Sequence, residues 1–82
     1  MAILYFLDVA EFKDVSSVAA AQPGTTVQHL DGYVAVSSDS PIVVDRRATG
    51  VRHAVWYSAV AAVAGGRVVQ YDKDALRVEP LS

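Results

Sequence analysis

The stretch DRRATGVRHAVWYSAVAAVAGG, Asp45 to Gly66, decides how the rest of the chain is read. It joins a basic, turn-rich entrance to a run that is apolar on nearly every side. On a helical wheel Val51, Val55, Trp56, Ala59, Ala62 and Val63 share one broad face. Ala54, Ser58, Ala61 and Gly65 line another side with small residues, which lets a second backbone come close. The polar strip is thin, mainly His53 and Tyr57. This spacing predicts one long helix that begins between 46 and 50, runs to 64 and is ended by Gly65-Gly66. A helix apolar on most sides is buried, so it is expected against a sheet and also against something else. Trp56, Tyr57 and Val60 on this helix are candidate interface residues.

Outward from that stretch, the flanks read as strands and one more helix. ILYFLDV (Ile3 to Val9) is a short apolar run with aromatic residues, a buried-strand pattern. Asp8 then opens a helix: Asp8 and Glu11 have capping-box spacing, and Phe12, Val15, Val18 and Ala19 supply the apolar stripe. Gln22-Pro23-Gly24 ends it. TTVQHL (25–30) and YVAVSS (33–38) flank Asp31-Gly32, the strongest short hairpin signal. Ile42 to Val44 is a possible short extra strand. RVVQY (67–71) and ALRVEP (75–80) are strands around the turn Asp72-Lys73-Asp74.

The resulting order contains β-α-β-β-α-β, which is the ferredoxin-like order. It predicts a single α+β domain over 1–82: a small antiparallel sheet with two helices on one face and a possible C-terminal hairpin. The second sheet face is then left to a partner, a ligand or solvent. The strands carry apolar residues on both sides, which favours a partner, with Tyr5 and Tyr33 as candidate contacts.

Composition points the same way. An 82-residue domain buries only roughly 60% of its unfolded surface, while 52% of these residues are apolar. Self-association, or burial against another protein, is the simplest remedy. The chain has no cysteine, which suits a reducing, cytoplasmic interior and leaves no disulfide or thiolate metal site. Its two histidines show no metal-ligand spacing, so neither metal nor cofactor is expected. The start lacks a basic region, and the longest apolar stretch, 54–66, is too short to span a bilayer, so no membrane role is expected. A net charge of −2 argues against nucleic acid as the main partner, although a local basic patch can still take a backbone.

That patch is the basic entrance. Arg46, Arg47 and Arg52 fall within seven positions, at the end of the expected helix that repels cations. With Thr49 as N-cap and the amides of Gly50, Val51 and Arg52 free, Arg46, Arg47, Thr49, Gly50, Arg52 and His53 form a candidate anion site for a phosphate, nucleotide or nucleic-acid backbone. The competing reading is internal, with Asp45 and Asp39 neutralising the arginines. His53 and Tyr57 stand four apart on one helix face, but no nucleophile or acid accompanies them, so no catalytic residue is assigned.

LYFLDV and DGYVAV loosely resemble the two sheet motifs of RNA-recognition domains. The resemblance covers about a dozen residues and implies Tyr5 and Tyr33 on adjacent central strands, able to stack bases. It departs at Asp31, where a basic residue belongs, and at Ala35, where an aromatic belongs. Taken together, the sequence reads as a small non-catalytic interaction or accessory protein that self-associates through apolar helix or sheet surface. An anion-binding module is the alternative.

Overall fold

The strand ILYFL runs through the middle of the molecule. In the computed structural model, which describes residues 1–81, it forms β1 (Ala2–Leu7). Ala2, Leu4 and Phe6 turn into the core and have no exposed surface. β2 (Thr26–Leu30) and β3 (Tyr33–Ser38) form the expected hairpin, with Leu30 opposite Tyr33. Gly32 in the turn has φ 80°, which an L side chain rarely adopts. β3 lies antiparallel to β1, from Ala2 opposite Ser38 to Leu7 opposite Tyr33.

Asp8 does not cap a helix. β1 extends to Leu7, and Val9 is also extended (φ −127°, ψ 156°), so Asp8 is held at the strand end. Its amide donates to the Gly32 carbonyl at 3.0 Å. A 3-10 turn follows (Ala10–Phe12), and α1 begins only afterwards (Lys13–Ala20), neither with a side-chain cap. The expected stripe is nonetheless used: Phe12, Val15 and Ala19 are buried, and Val18 packs beside them. Thr25 fastens the helix end by donating its hydroxyl to the carbonyls of Ala20 (2.7 Å) and Gln22 (2.8 Å).

The long helix over 46–64 is the main expectation that fails. The segment divides into α2 (Arg46–Thr49), α3 (His53–Ser58) and β5 (Val60–Ala64). Gly50 at φ 69° stops α2, and Arg52 is extended (φ −74°, ψ 161°) before α3 starts. The last third becomes a strand because β1 has an edge to fill. Val60 pairs with Phe6 and Val63 with Leu4, across a register shift between Tyr5 and Phe6. Strand pairing and burial outweigh the helix propensity of the alanines, a weak preference per residue.

The single sheet with two helices on one face is therefore replaced by two antiparallel sheets and three α-helices, α1, α2 and α3, with the 3-10 turn ahead of the first. The first sheet has the order β2-β3-β1-β5. The second has the order β4-β7-β6, from β4 (Ile42–Asp45), β6 (Gly66–Tyr71) and β7 (Ala75–Pro80). The short extra strand thus pairs with β7, and the C-terminal hairpin forms as β6 and β7. The ferredoxin-like order is not confirmed, because a strand and two short helices stand where its second helix belongs.

One core joins the sheets: Leu4, Phe6, Val15, Val36, Ile42, Val44, Trp56, Leu76 and Val78 are all fully buried. The chain passes from β5 to β6 at Gly65-Gly66, close to the first residues of β1. A Cβ on Gly66 would lie 2.7 Å from the Ala2 Cβ and 2.9 Å from the Glu79 carbonyl oxygen. Only glycine fits that crossing.

Candidate functional site

The face of the four-stranded sheet turned away from the core is the first candidate. Alternation on β1 sends Ile3, Tyr5 and Leu7 outward, and cross-strand register sets Tyr5 opposite Ala35 and Ala62. Tyr33 stands opposite both Leu7 and Leu30. Tyr5, Leu30, Tyr33, Ala61 and Ala62 line a shallow depression of about 290 Å³ that touches all four strands. No charged side chain lines it. Leu30 and Tyr33 are each 40% exposed. Such a surface offers a partner apolar area plus two phenol hydroxyls, the mixture favoured at the centre of protein interfaces.

The sequence placed Tyr5 and Tyr33 on adjacent central strands, and β1 and β3 are adjacent. It missed Leu30, Ala61 and Ala62. Leu30 could have been found, because a two-residue turn puts it directly opposite Tyr33. Ala61 and Ala62 could not, having been read as helix.

Trp56 is a correction. Its side chain is fully buried, and its indole N–H donates to the Asp72 carbonyl at 2.7 Å, so it belongs to the chain's own core rather than to an interface. Val60 is half-buried beside that core. Tyr57 remains available at 50% exposure. Around it lies an aromatic cluster: Tyr57 and Tyr71 rings are 5.4 Å apart, Trp56 and Tyr71 5.6 Å, and His53 and Tyr57 6.4 Å. The Tyr71 hydroxyl donates to the Trp56 carbonyl. Burial, and then the neighbouring Tyr57, raise the Tyr71 pKa above that of an ordinary tyrosine.

The basic entrance is not built as expected. Thr49 caps no helix N-terminus. It is the last residue of α2, buried, with its hydroxyl donating to the Arg46 carbonyl at 2.6 Å and accepting from the Val51 amide at 3.3 Å. Gly50 is the left-handed stop of α2, and α3 has no side-chain cap. Pieces of four and six residues offer no dipole site for an anion. Asp45 caps α2 through the Arg47 amide at 3.1 Å, and Asp39 lies 3.8 Å from the N-terminal ammonium. Among the described residues neither acid, nor any other, lies within 4.0 Å of an Arg46, Arg47 or Arg52 side-chain nitrogen. Arg46 is spent structurally, donating to the Lys73 carbonyl and, at 3.5 Å, to that of Val51. Arg47, Arg52 and His53 are exposed.

An open groove of about 540 Å³ lies between the 3-10 turn, α1 and β2. Leu7, Val27 and Val34 contribute apolar surface there, with Asp8, Lys13 and His29 among the polar lining. The Asp8 carboxylate and His29 Nδ1 are 4.0 Å apart and both well exposed. Among the described residues no three His, Asp or Glu side chains gather as metal ligands, and no helix is long and apolar enough to cross a membrane.

No protein-family profile matches the sequence, and no curated protein is similar enough in sequence to count as a relative. One solved structure is similar in fold: a chain from a phenol hydroxylase–regulatory protein complex. It superposes with a TM-score of 0.79 over 95% of each chain, at 16% sequence identity. The two chains share a small α+β fold over nearly their whole length.

Proposed function

We propose that this chain is a small non-catalytic accessory protein that docks on a larger enzyme and regulates it, using the outward face of the four-stranded sheet. The observation that carries the reading is that face: an uncharged depression lined by Tyr5, Leu30, Tyr33, Ala61 and Ala62, in a domain that already has a complete core elsewhere. The fold likeness to a chain of a hydroxylase–regulatory protein complex supports it and suggests the partner's class, an oxygenating enzyme. Self-association through the same face is the second reading, favoured by the absence of charge in the lining, since like charges there would repel a second copy.

The test is titration of the purified protein against a purified multicomponent hydroxylase, following binding by calorimetry and turnover by product formation. Micromolar or tighter binding with a change in turnover is expected. Tyr33→Asp should weaken binding at least tenfold, about 1.4 kcal/mol. Binding untouched by Tyr33→Asp would remove this face from the interface. Sedimentation velocity separates the second reading: a dimer at micromolar concentration, dissociated by the same substitution, would put a second copy on the face.

A further inference from the structure

The basic entrance has no role in the fold that accounts for all its charge, and none in the face just described. The chain carries seven Lys and Arg against nine Asp and Glu, yet three of the seven lie between positions 46 and 52. Arg46 is tied to the β6–β7 turn through the Lys73 carbonyl. Arg47 and Arg52 are not: among the described residues neither guanidinium makes an ion pair or an intramolecular hydrogen bond.

Two of the neighbouring carboxylates are already engaged. The Asp45 carboxylate accepts from the Arg47 amide. The Asp72 carboxylate accepts from the amides of Asp74 and Ala75 and from the Gln70 side chain. The Asp74 carboxylate makes no ion pair among the described residues, and only its backbone carbonyl meets the entrance, accepting from the Arg46 amide. Lys73 adds a further cation at the same turn. Directly after Arg52 in the chain, the stacked rings of His53 and Tyr57 are both exposed. Two unpaired arginine forks next to an exposed tyrosine are the residue types that dominate binding energy at protein interfaces. In the chain, α3 is followed by β5, whose Ala61 and Ala62 line the proposed docking face.

We infer that Arg47, Arg52, His53 and Tyr57 form a second contact, which receives an acidic surface of the partner protein. The inference rests on the proposed docking function and assigns its charge selectivity. Carboxylates on the partner fit the guanidinium forks bidentately, and Tyr57 covers the apolar remainder. The contact steers encounter: complementary charge raises association rates tenfold or more at low salt, and salt removes the gain. The net negative charge of the rest of the chain turns this shoulder, rather than another side, toward an acidic partner.

The experiment follows backbone amide shifts of the intact protein by NMR, with poly-L-glutamate as a defined acidic polypeptide and single-stranded RNA as the competing polyanion, in 20 and 200 mM salt. The expected result is poly-L-glutamate shifts centred on residues 46–57, lost at 200 mM salt and abolished by Arg47→Glu/Arg52→Glu, with an unchanged circular dichroism spectrum. Tyr33→Asp should leave these shifts intact, so the shoulder and the sheet face are tested separately. Shifts centred on Lys13, Arg67 or Arg77, no binding at 20 mM salt, or tighter binding of RNA than of poly-L-glutamate at the same residues would each overturn the assignment. With a hydroxylase that binds the protein, Arg47→Glu/Arg52→Glu should lower the association rate at least tenfold at 20 mM salt and also speed dissociation, since the bidentate contacts are lost.

Discussion

The two faces of the four-stranded sheet come from alternate residues of the same strands, yet they meet different neighbours. On β1, Leu4 and Phe6 are fully buried, while Ile3 and Tyr5 are only half-buried. On β3, Val34 and Val36 are buried and Tyr33 is not. Both faces are apolar in composition. The inner one is covered by α1 and the second sheet. The outer one has only its own strand neighbours, and Ala35, flattened between them, is the one outward residue of β3 that they bury. Apolar content therefore does not distinguish a core from an open surface; coverage does.

That contrast can be broken by substitution. The largest effect is expected inside: Phe6→Ala should cost about 3–5 kcal/mol, measured by urea denaturation, because it leaves a cavity where the two sheets meet. Gly66→Ala should cost about 1–3 kcal/mol, since the new methyl meets Ala2 and the Glu79 carbonyl at the crossing between sheets. Tyr71→Phe should cost about 1 kcal/mol by freeing the Trp56 carbonyl. Outside, Tyr33→Ser should change stability by no more than about 0.5 kcal/mol while reducing docking. If Tyr33→Ser destabilised the protein as much as Phe6→Ala, the outer face would be part of the core and the contrast would fail.

The pH dependence sharpens the picture at its edges. Tyr71 is raised in the folded state, so the stability it contributes is complete below the ordinary tyrosine range and is lost as pH climbs through its folded pKa. Alkaline denaturation of wild type should therefore begin above about pH 10, and Tyr71→Phe should flatten that limb. Asp72 is shifted the other way, lowered first by the amides of Asp74 and Ala75. Its contribution is present above the ordinary carboxylate range and lost as pH falls through its lower folded pKa. Asp72 is fully exposed, so this is the smallest effect, and Asp72→Ala should slightly reduce the acid sensitivity of a pH melt.

Legibility followed the range of the forces involved. The Asp31-Gly32 hairpin, the β6–β7 hairpin and the α1 stripe were readable because each is decided within a few residues. The 46–64 segment was not. Its valines fit a helical wheel and a strand equally, and what decided it was the open edge of β1, more than fifty positions away. Gly50 was the local warning, a residue that costs a helix interior about 1 kcal/mol relative to alanine. The candidate site was half legible. Tyr5 and Tyr33 are placed by simple alternation. Whether Asp45 and Asp39 would take up the arginines depended on which hydrogen bonds those acids make, and spacing alone does not contain that.

The position of β7 has a consequence for partly folded states. β4 and β6 are each paired to β7, and neither pairs with the other. The first sheet has all its strands within residues 2–64, but the second has no centre until residues 75–80 are in place. Through that interval Ile42 and Val44, later fully buried, have no strand beside them. Any state in which β7 is undocked therefore exposes an apolar strand to neighbouring molecules, a route to aggregation.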